Sequence, residues 1–162
     1  MNRSLVPTAL LLAACSSGSG AAEPPFVATP VASFASPWAM TFLPDGRMLV
    51  TEEAGVLRLA SPDGKTVSAV AGIPAVDSAG QGGLMDVVLH PDFARNRMVY
   101  LSWSEAGPGG KGVALGRGTL VEANGTTRLD KFETIFRARP YVTGNGHYSG
   151  RIAFSPDGKH LF

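Results

Sequence analysis

From Phe34 onward the hydrophobic positions fall in short runs broken by Pro, Asp, Asn and Gly, and no run keeps a helical spacing beyond about two turns. One phrase occurs three times. Thr41-Phe42-Leu43-Pro44-Asp45-Gly46-Arg47-Met48-Leu49-Val50 is the clearest copy, and Ala153-Phe154-Ser155-Pro156-Asp157-Gly158-Lys159-His160-Leu161-Phe162 nearly repeats it. Val88-Leu89-His90-Pro91-Asp92-Phe93, continuing through Arg97 to Val99-Tyr100-Leu101, is a variant with an expanded turn. Each copy predicts a strand, a turn and a second strand. Proline presets φ at the first turn position, Asp bonds to the backbone two residues on, and Gly supplies the positive φ that closes the hairpin.

The three prolines are separated by 47 and 65 residues. A period of about 40–50 residues with four short strands per unit is the pattern of propeller blades. The longer second interval is assigned to an insertion in the glycine-dense stretch from Glu105 to Gly118, which is expected to form a loop. Gly55-Val56-Leu57-Arg58-Leu59 followed by Ser61-Pro62-Asp63-Gly64-Lys65 predicts another strand and turn, and Asn124-Gly125 a two-residue hairpin. Only Leu84 to Leu89 leaves helix and strand both open. The expectation is an all-β fold, a β-propeller, with residues 34–162 holding about two blades and the start of a third. A β-sandwich with three similar hairpins is the competing architecture. Two blades alone leave unpaired edges, and Leu161-Phe162 falls inside a strand, so a longer natural chain is expected.

Composition sharpens this picture in two places. Lys and Arg number 14 against 13 Asp and Glu, without a basic block, so no field is present that would release counterions from a nucleic acid. Gly and Pro, at 20 and 12 of 162 residues, recur between the apolar runs as a turn-rich all-β chain requires.

The first residues follow other rules. Met1-Asn2-Arg3 precedes an apolar run from Leu5 to Ala14, about half the length of a membrane-spanning helix. Leu12-Ala13-Ala14-Cys15 resembles the bacterial lipobox, in which the cysteine is lipidated; Cys15 is the only cysteine, and Ser16 to Ala22 has the composition of a flexible leash. The chain is therefore divided into a lipoprotein signal at 1–15, a tether at 16–33 and a propeller segment at 34–162. An exported, membrane-anchored protein facing the periplasm or the cell exterior is expected, with a plain secretory signal as the alternative.

Two stretches carry candidate chemistry: Gly80-Gln81-Gly82-Gly83-Leu84-Met85-Asp86-Val87-Val88-Leu89-His90-Pro91-Asp92-Phe93 and Gly144-Asn145-Gly146-His147-Tyr148-Ser149-Gly150-Arg151-Ile152. Both set a polar side chain among glycines just before a strand, where the backbone can approach a ligand closely. The first, with Val99-Tyr100-Leu101-Ser102 after it, resembles the early signature of the soluble PQQ-dependent sugar dehydrogenases. Gly146 to Phe154 resembles their active-site histidine segment, and Ser36-Pro37-Trp38-Ala39-Met40 the start of their first blade. The resemblance covers nearly everything from Phe34 onward.

It implies a six-bladed propeller that oxidises an aldose at C1 to the lactone. His147 is then the base that takes the anomeric proton while hydride passes to PQQ, an assignment suited to imidazole's ordinary pKa near 6.5. Gln81 is the implied substrate-binding amide, with Asn145 and Arg151 as pocket support; for Arg151 a strand-edge ion pair is the equal alternative. His90 is expected to be structural, and Asp86 to order the Gln81 loop. Gly146 stands where soluble glucose dehydrogenases often have an aspartate, which fits the broader aldose dehydrogenase branch. PQQ, calcium and an external electron acceptor are implied, with the cofactor and calcium ligands expected beyond Phe162 and the fragment inactive by itself.

Other chemistries find no support. Ser149 lies one place too late for Gly-x-Ser-x-Gly. Glu52 and Glu53 are adjacent in a strand and point to opposite faces, so they cannot flank one glycosidic bond. The three histidines are too scattered for zinc, and phosphate-binding glycine loops are missing. A non-catalytic exported propeller that binds a ligand remains the alternative function.

Overall fold

The computed structural model describes residues 25–162, so the lipobox Cys15 and the start of the tether lie outside the described residues. Residues 31–162 form one unit built almost wholly of strands. The first blade is an antiparallel meander of β1 (Pro37–Phe42), β2 (Met48–Glu52), β3 (Val56–Ala60) and β4 (Val67–Ala71). The second is a meander of β5 (Leu84–Leu89), β6 (Met98–Gly107), β7 (Gly110–Ala123) and β8 (Thr126–Arg137). A third begins where Phe154 pairs with Leu161 across the last Pro-Asp-Gly turn. The architecture is thus all-β, two propeller blades and the start of another.

The turns form for the reasons the sequence suggests. In each Pro-Asp-Gly copy the Asp carboxylate accepts the N–H two residues on: Arg47 from Asp45 at 3.1 Å, Lys159 from Asp157 at 3.1 Å. Gly46 and Gly158 sit at φ +84° and +69°. Asn124 and Gly125, at φ 52° and 73°, make the tight turn between β7 and β8. In the expanded second copy one helical turn, α1 (Phe93–Asn96), fills the added length, and the ambiguous Leu84–Leu89 run is strand β5.

The Glu105–Gly118 stretch is not a loop. It forms the end of β6 and the first half of β7, paired continuously from Met98↔Thr119 to Gly107↔Gly110. The longer second interval comes from long strands, 10, 14 and 12 residues in β6, β7 and β8 against 5 in each of β2, β3 and β4. Its glycines serve close approach instead of loop flexibility. A Cβ on Gly107 or Gly112 would meet the Tyr141 ring at 1.9 and 2.6 Å, because residues 139–143 lie flat on this hairpin.

The blades pack face to face over one apolar core, in which Leu49, Leu57 and Leu59 of the first meet Leu84, Leu101 and Trp103 of the second. Between the blades the buried Thr51 hydroxyl donates to the Met85 carbonyl at 2.6 Å and accepts the Ala39 N–H at 3.0 Å. Leu84 N–H donates to the Glu53 carbonyl at 3.1 Å, so strand β5 starts at a position set by the first blade. At the rim, β4 and β8 pair in parallel through Val70↔Thr127 and Ala71↔Arg128. The start of β5 and the loop before it are thereby held from both sides.

Candidate active site

That loop, residues 77–83, carries Gln81. It is pinned to β6 by Ser104, whose hydroxyl is fully buried. Ser104 Oγ donates to the Asp77 carbonyl and accepts the Gly83 N–H, both at 2.6 Å, while Asp77 N–H donates to the Ser104 carbonyl at 2.9 Å. The Gly-x-Gly-Gly spacing is what lets the chain turn back here. Gly80 sits at φ +71° with its α-carbon against the neighbouring loop, and a Cβ there would lie 2.2 Å from the Asn145 carbonyl oxygen.

The neighbouring loop is the histidine segment. Gln81 N–H donates to the Asn145 carbonyl at 2.8 Å, and the Gln81 side-chain Oε1 accepts the His147 peptide N–H at 2.7 Å. His147 is exposed and takes φ +62°, a left-handed conformation uncommon for a side chain with a Cβ. The two residues singled out in sequence are therefore brought together from 66 positions apart. Gln81 reaches the histidine at its main-chain N–H, which leaves the imidazole out of that bond. A Cβ on Gly146 would stand 3.3 Å from Gln81 Oε1, so the missing side chain there keeps that acceptor uncrowded.

Asp86 orders the histidine segment rather than its own glycine loop. An extra residue bulges β5 between Leu84 and Val87, and such bulges re-aim side chains. The Asp86 carboxylate is buried; Oδ2 accepts the Ile152 N–H at 2.8 Å and Oδ1 the Val87 N–H at 3.0 Å. Arg151 lies 3.4 Å from Asp86 Oδ1 and 4.9 Å above the Trp38 ring, with its side chain 75% exposed. The ion-pair alternative weighed for Arg151 is thus present. Ser102 completes the seat, accepting the Asp86 N–H and donating to the Gly150 carbonyl.

His90 is structural: its N–H donates to the Met98 carbonyl on β6 at 3.0 Å, and its Nδ1 accepts from Asp92 N–H at 3.0 Å and lies 2.9 Å from Asn96 Nδ2. Its ring packs with Tyr100 and Phe154, joining the second blade to the start of the third. Glu52 is buried and bound by Arg58 and the Ala35 N–H, a structural role.

Two residues that sequence reasoning missed complete the site. Lys111, on β7, donates from Nζ to Asp77 Oδ1 at 2.7 Å and to Asn145 Oδ1 at 2.8 Å. Its ammonium, helped by the Ala79 N–H, holds the Asp77 carboxyl below its ordinary 3.8. No sequence signal marks either residue, because their meeting depends on a hairpin whose glycines suggest a loop. A cavity of about 610 Å³ lies on the Asp77 side, lined by residues 75–79 with Glu105 and Ala106. Neither Gln81 nor His147 lines it; they stand outside it, with His147 open to solvent.

Two glycine loops thus join a glutamine amide to the main chain of an exposed histidine at one end of adjacent blades. Among the described residues no three His, Cys, Asp or Glu side chains converge as metal ligands.

Comparison with known proteins agrees with this geometry. The Glucose / Sorbosone dehydrogenase family model matches residues 34–162. Aldose sugar dehydrogenase YliI of Escherichia coli (strain K12) is 46% identical over 130 residues, covering 78% of this chain and 34% of that protein. The crystal structure of the soluble aldose sugar dehydrogenase from Escherichia coli in the apo-form superposes with a TM-score of 0.70 at 43% identity, over 78% of this chain and 36% of that one. The PQQ-bound aldose sugar dehydrogenase of Streptomyces coelicolor superposes with a TM-score of 0.66 at 28% identity, over 82% and 39%. The chain spans about a third of the length of its curated relative. By the family model, the blades and the paired glycine loops together, this chain belongs to the glucose/sorbosone dehydrogenase family.

Proposed function

We propose that this chain supplies the base-bearing side of a PQQ-dependent dehydrogenase that oxidises aldoses at C1 to the lactone. The observation that carries the reading is the 2.7 Å bond from the His147 peptide N–H to Gln81 Oε1, which ties the main chain of an exposed histidine to the amide of the other glycine loop. PQQ, when bound, supplies the acceptor for the C1 hydride. His147 takes the proton from the anomeric hydroxyl as that hydride leaves. Gln81, with Oε1 committed to the main chain of His147, offers its Nε2 donors to a sugar oxygen. Arg151 and Asn145 support the pocket: Arg151 leans on Asp86 and Trp38, and Asn145 closes on Gln81.

These groups fit the reacting edge of such a cofactor. The carboxylates of PQQ require further cations, since Lys111 is already matched to Asp77 and Asn145. For calcium the described residues do not fit, since no three His, Cys, Asp or Glu side chains converge among them. The lipobox reading adds a membrane anchor through Cys15, facing the periplasm or the cell exterior. Metabolic labelling with palmitate tests it: label lost in Cys15→Ser supports the anchor, and label retained refutes it.

Reconstitution of the full-length protein tests the activity. The cofactor-free protein is expected to gain aldose-dependent reduction of an artificial dye on addition of PQQ and calcium, with lactone as product. Sugar binding without dye reduction would instead identify a binding propeller.

A further inference from the structure

We propose that Lys111 is a positioning residue for His147, a clamp that sets the distance between the Gln81 loop and the histidine loop. The inference rests on His147 acting as the base and adds to it a residue that acts through the two loops it joins.

The histidine loop is attached to β7 twice through this one residue. Lys111 N–H donates to the Val142 carbonyl at 2.9 Å and Val142 N–H to the Lys111 carbonyl at 3.0 Å, which fixes the start of the loop. The Lys111 side chain then reaches forward to Asn145 Oδ1 at 2.8 Å, two residues before the base. The same ammonium holds Asp77 Oδ1 at 2.7 Å, at the start of the Gln81 loop. Asp77 is itself rigid, bonded through its own N–H and carbonyl to Ser104 and through Oδ1 to the Ala79 N–H. Lys111 therefore connects a fixed point on one loop to the residue two places before the base on the other.

Without the clamp, two bonds still join the loops: Gln81 N–H to the Asn145 carbonyl, and His147 N–H to Gln81 Oε1. Both hang on residues in glycine-flanked turns, and the second holds His147 at φ +62°, a conformation that relaxes when its partner moves. The Lys111 and Asp77 side chains are only 18% and 22% exposed, so the ion pair is better shielded than most surface pairs. It is also triangular: one cation between a carboxylate and an amide oxygen restricts direction as well as distance.

The test compares Lys111→Met, which keeps the side-chain length and removes the charge, with Asn145→Ala and the double variant in the full-length protein. The first readout needs no cofactor: amide hydrogen exchange at Gln81 and His147, with Val99 and Leu101 in the core as reference. Lys111→Met is expected to speed exchange at both loop amides about tenfold while the core amides hold. The double variant should match Lys111→Met, because both changes cut one path. In the PQQ-loaded protein, kcat should fall by about ten- to a hundredfold, with a smaller change in KM. Unchanged exchange at His147 would overturn the clamp, as would a rise shared equally by the core amides or additive effects in the double variant. If His147→Gln keeps full turnover while the exchange result holds, the base assignment fails and the loop connection stands.

Discussion

Asp86 shows how one buried carboxylate serves a site without touching its chemistry. Its oxygens accept the N–H groups of Ile152 and Val87 and meet Arg151, from a position only 4% exposed. Removing the acceptor strands two donors, each costing about 1–3 kcal/mol when left unpaired in the interior. Asp86→Ala is therefore expected to lower unfolding free energy by at least about 2 kcal/mol in denaturant titration. Asp86→Asn, which keeps one acceptor oxygen, should lose clearly less; equal losses would show that the acceptor geometry is unimportant. At this scale much was legible. Gln81 and His147 stood out because polar side chains set among glycines before strands serve close approach, and the structure joins them. What sequence did not reveal for Asp86 was its target, since a one-residue bulge in β5 decides which loop the carboxylate faces.

The β6–β7 hairpin is where reading the elements went astray, and the reason is physical. Its glycines suggest a loop, yet Gly107 and Gly112 stand in paired strands so that Tyr141 can cross them. A glycine in a strand and a glycine in a loop look alike until the partner that needs the space is known. The turns, by contrast, were legible because Pro-Asp-Gly and Asn-Gly act within four residues. Misreading the hairpin hid Lys111, and with it the fixed charge beside Asp77. Because Lys111 depresses the Asp77 pKa, the pair's contribution is complete above the unfolded-state value of 3.8 and is lost as pH falls through the lower folded value. Asp77→Asn should accordingly flatten the dependence of stability on pH below 3.8 and leave the dependence above it unchanged. Parallel acid-unfolding series on the two proteins check this, and identical slopes below 3.8 would contradict the pairing.

At the scale of the molecule, the repeat of one phrase was enough to show blades, since each copy dictates its own hairpin wherever it lies. How the blades join was not legible. Thr51 donating to Met85, Leu84 to Glu53, and the bidentate Arg47–Glu122 pair with Arg97 on the same carboxylate all depend on residues far apart in sequence. These connections give the site its character: the Gln81 loop leaves the first blade, the histidine loop opens the third, and the second blade holds both. In the proposed role, a His147 whose main chain is held in that way presents its base without reorganising the loop, and a positioned base contributes about 10²–10⁴ to a rate. The measurement that tests this most directly is single-turnover reduction of bound PQQ by an aldose in the full-length protein and its His147→Gln variant. The account predicts equal PQQ binding in the two, with reduction slowed at least about a hundredfold in the variant. Reduction at the unaltered rate in His147→Gln would contradict it.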